Sequence, residues 1–428
     1  MRAHISFGRN GLDLELPEGF HYRFLEARSA QPLPDAAGAI EKALDAPHGT
    51  VALEVLARGK KTAAISVCDI TRPVPYRRIL PPLLDRLHRG GIPPEGVTFL
   101  IATGLHRQAT AAEVSEILGP EIASRYRWGN HNARELSTHR HLGVTASGTP
   151  VYIDERFLSA DLRLTSGLIE PHLMLGYSGG RKLVVPGLAA RETILVLHSP
   201  KFMRDPRAVE GSMVDNPLHK EFLEIARMAG QEFILDVALN RDRDIAGVFA
   251  GDPVEAHSRG AEFVSRVMLE LLDEPVDAVI TTGAGYPLDL TFYQSVKGII
   301  AAAHILKPGG KILLFGACQE GPGAPEFREQ LKAFPDWKEF MTRIEKAPVV
   351  IDQWQLEKLA LAISQAEVFY HVPGLPAEYY PTLWGRALPT PSEAVEALAK
   401  SLTPGSTIAV IPEGPYVLAK CQPSLSIA

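Results

Sequence analysis

The chain predicts an α/β protein made of two α/β domains, each with a mostly parallel sheet, and an interdomain active-site cleft. Short apolar runs such as Thr62–Val67 and Val97–Ala102 alternate with helix-like segments. That alternation is the pattern of a parallel sheet covered by helices. Polar clusters stand directly after those runs, where ligands collect in open sheets of this kind. Finally, Asp273-Glu274-Pro275 interrupts the pattern, and Val276–Thr282 starts a second series. The expected division is 1–273 for cofactor binding and catalysis, joined by the tail 404–428, with 274–403 as a second α/β domain.

Taken in order, 62–67 reads as a buried strand and 81–89 as a short helix whose two prolines fall in its first turn. The run 97–102 is the next strand, and a helix opens near Thr110. Residues 143–153 alternate around Ser147-Gly148 like a β-hairpin, and 161–166 is a strand that feeds into Glu170-Pro171-His172. Strands at 233–237 and 245–249 precede a helix over 253–272. In the second series, the strand 276–282 leads to a helix bearing Tyr293, Gln294 and Lys297. Leu306 to Phe315 reads as helix end, tight turn and strand. Helices near 326–334 and 391–401 follow, and the strand 407–411 is expected to pack back on the first domain.

Composition narrows the function. A net charge of −6, with no basic block interleaved with aromatics, argues against nucleic acid. Three widely spaced cysteines give neither a disulfide framework nor zinc-finger spacing and fit a reducing compartment. No apolar run is long enough for a membrane span, and the first residues do not resemble a signal peptide. The expectation is a cytoplasmic, enzyme-sized protein that acts on small molecules.

The chemistry concentrates in 170–200. There His172 precedes the glycine-broken turn Gly176-Tyr177-Ser178-Gly179-Gly180, then Arg181-Lys182, and at the end His198. Ser178, Gly179 and Gly180 could turn several N–H groups towards an anion, because glycine reaches the required backbone angles. A buried Lys182 could serve as a nucleophile or covalent anchor. His198 follows the apolar run 193–197, which would hold an imidazole against a metal or substrate. Taken alone, the stretch fits a solvated loop as well as a cofactor site.

Other strand ends add candidates. In Asp69-Ile70-Thr71-Arg72-Pro73, the proline biases Arg72 towards an extended conformation, and a guanidinium fork suits a carboxylate. An Asp–Arg pair that ties down its own loop fits equally. His106, after Thr103-Gly104, and His172 are candidate general bases or surface histidines. His131, His139 and His141 lie in a polar stretch and are expected to face solvent. Tyr293 and Lys297, four apart, share a helix face that is either a ligand site or simply exposed. Trp354 is explained by packing.

Taken together and in order, these clusters resemble the nickel-pincer lactate racemase family of 2-hydroxy acid racemases and epimerases. The matching pieces are D-I-T-R-P-V-P at Asp69, A-T-G-L-H-R at Ala102 and E-P-H-L-M-L-G-Y-S-G-G-R-K at Glu170. H-S-P at His198, G-Y-P-L-D at Gly285 and Y-Q-S-V-K-G at Tyr293 extend them over most of 69–300. The resemblance implies a nickel-pincer nucleotide, pyridinium-3-thioamide-5-thiocarboxylic acid mononucleotide with nickel, made by cofactor-synthesis proteins. It implies that Lys182 carries the covalent link and His198 ligates nickel, with Ser178, Gly179, Gly180, Asp69 and Thr71 around the cofactor. His106 and His172 would be the acid/base pair, and Arg72, Tyr293, Gln294, Lys297 and Trp354 would hold the substrate. The implied reaction is inversion at C2 by hydride transfer. Leu105 stands where a small polar residue is expected for lactate, which suggests a larger, malate-type acid with its second carboxylate on Arg77 or Arg107. The competing classes are a non-catalytic α/β nucleotide or hydroxy-acid binding protein and a nicotinamide dehydrogenase. The latter is disfavoured because no Gly-x-Gly-x-x-Gly follows an early strand.

Overall fold

A computed structural model describes residues 1–421. The chain forms two compact units. One contains Ser29–Leu197 and Asp205–Val267; the other contains Met1–Arg28, His198–Arg204 and Met268–Ala428, of which 422–428 lie outside the described residues.

The first unit is built on a six-stranded sheet, ordered Ile245–Gly251, Phe233–Leu239, Leu162–Leu168, Ala63–Cys68, Val97–Ala102, Arg127–Asn130. All neighbours are parallel except the edge strand Ile245–Gly251, which runs antiparallel to Phe233–Leu239. The strands Ala63–Cys68 and Phe233–Leu239 are buried along their whole length, as sheets covered on both faces require. From Ala63–Cys68 the chain steps outward one way to Arg127–Asn130. From Leu162–Leu168 it steps the other way. The reversal lies between Cys68 and Leu168, and its carboxyl end is where an open α/β sheet binds ligands.

The second unit repeats the plan with six parallel strands, ordered Arg386–Ala387, Ala366–His371, Leu306–Phe315, Val276–Thr282, Thr407–Val410, His21–Phe24. Here the reversal falls between Val276–Thr282 and Thr407–Val410. The helix Phe292–Ala303 lies so close to the first of these strands that a Cβ on Gly298 would sit 2.2 Å from the Thr282 carbonyl oxygen.

Several elements differ from expectation. The strand at 407–410 does not return to the first unit; it pairs with Val276–Thr282, and His21–Phe24 adds beyond it. Its apolar run thus fills a sheet already buried on both faces, and 1–28 belongs to this unit too. The helix expected at 81–89 spans Tyr76–Arg89, with Pro81 and Pro82 in its interior. Its apolar face, from Ile79 to Leu87, is buried, and that burial outweighs the missing backbone donor. Leu306–Phe315 is one strand with a register shift near Val276, so Gly309 marks a bulge, not a helix end. The helix expected over 253–272 ends at Met268, because Leu269–Leu272 forms a strand with Leu418–Cys421. The hairpin is as expected, from His139–Val144 to Pro150–Asp154.

Candidate active site

Loops from three neighbouring strands meet at the reversal of the first sheet. After Cys68 comes Asp69, whose carboxylate accepts from the His106 ring (Nδ1 to Oδ2, 2.7 Å) and from the Thr71 amide (3.1 Å) and hydroxyl (2.5 Å). Burial tends to raise the Asp69 pKa. The bonds from His106 and Thr71, with the attraction of His106, more than offset this, so it lies below its ordinary value. A carboxylate accepts only, so His106 keeps its proton on Nδ1 and leaves the Nε2 lone pair for a substrate. The ring stays reachable, with a side chain 64% exposed. Thr103 fixes the start of its loop by donating to the His131 carbonyl at 2.8 Å.

Arg72 and Glu170 leave the two strands on either side of the reversal, and they pair at 2.9 Å (Nε to Oε1). Both are about one-third exposed, so the pair is screened and orients more than it stabilises. His172 follows in the short antiparallel pairing Pro171–His172 with Gly176–Tyr177. Its Nδ1 faces the amides of Met174 (3.5 Å) and Leu175 (3.3 Å). These long contacts favour Nδ1 as acceptor and the proton on Nε2, the opposite tautomer to His106.

The glycine turn is built differently from expectation. The Ser178 amide donates to Glu170 O (2.9 Å) and its hydroxyl to Leu168 O (2.7 Å). The Gly180 amide donates to Asp236 (2.7 Å). Two of the three N–H groups expected to face an anion are therefore used inside the protein, so the turn is a rigid platform. Gly179 and Gly180 both have positive φ, and a Cβ on Gly179 would lie 2.7 Å from Asp236 Oδ2. Beneath it, Arg181 is fully buried and donates to the carbonyls of Leu175 (3.2 Å) and Tyr177 (3.3 Å). His257 donates from Nε2 to Ser178 O (2.7 Å). Burial lowers Arg181 to about 9 and takes His257 well below its usual value, while it pushes Asp236 up to about 7. With Arg181 turned inward, its neighbour Lys182 lies within the short 3₁₀ turn Gly180–Leu183 and stays half-buried.

Sequence reasoning missed Asp236 and His257. Both sit in ordinary-looking segments, and an acid inside the apolar strand Phe233–Leu239 was the one available signal. It also misjudged His131, which is completely buried with Nε2 2.9 Å from His139 Nε2. Burial lowers its pKa to about 3 and keeps it neutral. The polar stretch concealed that His131 follows the edge strand directly and is drawn under Thr103.

The other unit holds the remaining candidates. Tyr293, Gln294 and Lys297 lie in the first turns of Phe292–Ala303, which follows the strand at that sheet's reversal. Trp354 opens the helix Gln353–Ile363, and its ring lies 4.4 Å from that of His198. An indole can only donate, so Trp354 hydrogen-bonds to the Tyr293 oxygen while the Tyr293 hydroxyl donates to Asp352. Burial and the Asp352 carboxylate raise the Tyr293 pKa well above its ordinary value. Gln355 Nε2 donates to Tyr293 O at 3.0 Å and ties the two helices together. Trp354 is thus more than packing, since it links Tyr293 to His198. The Asp289 carboxylate of G-Y-P-L-D stitches the loop by accepting from the amides of Gly8 (2.7 Å) and Ala317 (3.1 Å).

Fold and site together define a two-unit α/β protein with imidazoles, a lysine and an arginine on loops at a sheet reversal. The lactate racemase N-terminal domain model matches residues 7–211, and the corresponding C-terminal domain model matches 272–419. This chain belongs to the lactate racemase family. It is 32% identical over 97% of its length to the lactate racemase of Thermoanaerobacterium thermosaccharolyticum, covering 98% of that protein. With the lactate racemase of Lactiplantibacillus plantarum it shares 35% identity over 89% of this chain and 90% of that one. The solved apoprotein of the Thermoanaerobacterium enzyme superposes with a TM-score of 0.90 over 98% of this chain and all of that one, at 32% identity. A Thermotoga maritima protein, 16% identical with a TM-score of 0.65 over 91% of this chain and 99% of that one, shares the fold.

Proposed function

We propose that this protein is a racemase that inverts C2 of a lactate-type 2-hydroxy acid, with a nickel-pincer nucleotide attached to Lys182. The observation that carries the reading is the Asp69-held His106 beside the Arg72–Glu170 pair at the first sheet's reversal, in a chain of the lactate racemase family. A protein that only bound a hydroxy acid would have no use for a carboxylate that fixes a histidine tautomer.

The residues fit the cofactor. Lys182 is a half-buried primary amine on a turn held by buried charges, suited to an amide-type link. His198 offers imidazole, which nickel accepts alongside sulfur donors. The Gln294 side-chain oxygen is buried with no hydrogen-bond partner, as expected of an acceptor that meets a ligand. When bound, the group supplies an electron-poor pyridinium–nickel centre able to take up and return the C2 hydrogen as hydride. Cofactor-synthesis proteins provide it.

The chain's own residues do the rest. Arg72 and Lys297 bind the substrate carboxylate, with Tyr293, Gln294 and Trp354 beside it. His106 takes up the hydroxyl proton at Nε2 for one enantiomer, and His172, as the imidazolium, returns a proton from Nε2 for the other. In the reverse direction the roles exchange, so each ring passes between its neutral and protonated forms. A keto acid planar at C2 then gives either product.

The test is to produce the chain with cofactor-synthesis enzymes and nickel, then map mass adducts by peptide. An adduct on the Lys182 peptide, with interconversion of D- and L-lactate on a chiral column, is expected. Lys182→Ala should abolish adduct, nickel and activity together. An unmodified Lys182 under conditions that load a known racemase would overturn the reading.

A further inference from the structure

Resting on the assignment of His198 as the nickel ligand, we propose that Glu357, Arg204 and Lys358 are positioning residues that hold its ring in place. The segment His198–Arg204 packs with the second unit, although the chain before and after it belongs to the first. It is therefore a short excursion, and one face of the helix Gln353–Ile363 grips it at both ends. Trp354 meets the His198 ring (4.4 Å) at the front. Three and four residues along that face, Glu357 accepts from Arg204 Nε (2.8 Å) and Lys358 donates to Met203 O (2.8 Å) at the back. Arg204 also donates to Met341 O at 2.8 Å. Between the grips runs the helix Pro200–Met203, with Phe202 and Met203 buried and its last carbonyl capped by the lysine.

The composition of this grip argues for placement over stability. The Glu357 side chain is completely buried and its Oε2 has no partner, a costly arrangement that apolar residues would replace without loss. Directional bonds to Arg204 and Met203 fix both the register and the rotation of the excursion, which a greasy contact would leave free to slide. A metal ligand has to be placed that closely, and loss of the residues that orient a ligand typically weakens metal binding about 10–100-fold.

The experiment compares wild type with Glu357→Gln and with Arg204→Met, the latter at a partly exposed site less prone to misfold. In the apo chain, NMR of the His198 ring, assigned with His198→Gln, should show an upfield ring-current shift from Trp354 that shrinks in both variants. Arg204→Lys should restore part of it. In chains made with cofactor-synthesis enzymes, the Lys182 adduct should stay at the wild-type level while nickel per adduct falls at least about 10-fold. Unchanged ring shift and nickel retention in both variants would overturn the inference. A wild-type chain without adduct would instead overturn the underlying cofactor reading, and the apo-chain ring shift would still decide whether the grip holds His198.

Discussion

At the reversal of the first sheet the candidate groups sit on loops that leave strand ends, whereas in the second unit they sit on two helices and an excursion of chain. The first set is fastened largely by charged groups: Asp69 holds His106, Arg72 pairs with Glu170, and the Lys182 turn lies over Asp236, Arg181 and a neutral His257. Around the second set the groups in direct contact are mostly neutral, with Tyr293, Gln355, Trp354 and His198 joined by hydrogen bonds and ring packing, and with the ion pair further back on Glu357. Loops at strand ends can bring groups from distant sequence positions to one point. A helix can present only what its own period allows. On the proposed reading the first region moves protons and the second holds and orients.

That contrast breaks most sharply at Asp69. Asp69→Asn keeps the shape, but an amide can offer its NH₂ to the ring and favour the wrong His106 tautomer. We expect kcat in the loaded enzyme to fall about 10²-fold, the usual scale of general acid–base catalysis, with the Lys182 adduct intact. Gln294→Ala in the other region should raise KM more than it lowers kcat. If Asp69→Asn also changed only KM, the division of labour between the regions would be wrong.

A smaller effect, confined to stability, is expected at Asp236. Burial raises its folded-state pKa from the ordinary 3.8 to about 7, so folding favours the protonated form. The favourable contribution is complete below pH about 4 and is lost as pH rises through about 7. Asp236→Asn lacks that titration and should flatten the decline, removing a slope of at most about 1.4 kcal/mol per pH unit. Denaturant unfolding at several pH values across this window measures it. Parallel profiles for the two proteins would show that Asp236 is not titrating beneath the turn.

The two regions were also unequally legible. Asp69, Arg72, His106 and His172 stand in short motifs immediately after apolar runs, so position along the chain already places them at strand ends. Asp236, Arg181 and His257 act through the far side of the turn, and only the fold brings residues so distant in sequence together. Arg181 was named only as the neighbour of Lys182, because sequence does not tell which of two adjacent cations turns inward. His198 and Trp354 were seen, but the residues behind them were not. The residues that grip Arg204 and Met203 come from a helix more than a hundred positions later. The strands at 21–24 and 407–410 were misassigned or missed for a related reason, since a parallel sheet accepts edge strands from either end of the chain.

The smallest effect is expected at Arg107, where the size of the substrate is at stake. Leu105 suggested an acid with a second carboxylate, and Arg107 was one of two arginines available to bind it. In the structure Arg107 forms a fork with Glu113 (2.8 and 2.5 Å), and Glu113 also caps the helix Ala111–Leu118 through Thr110. Its guanidinium is committed to that cap, and a substrate carboxylate would have to displace a partner held by two parallel bonds. Arg107→Ala should therefore leave kcat/KM for lactate within about twofold, because the pair lies on an exposed surface. Turnover of malate at a rate comparable to lactate, lost on Arg107→Ala, would show that the arginine leaves Glu113 for a substrate. It would also extend the charged character of the first region to substrate selection. With no malate turnover in either protein, the substrate beside Leu105 is a monocarboxylate, and on the proposed reading Arg72 binds it.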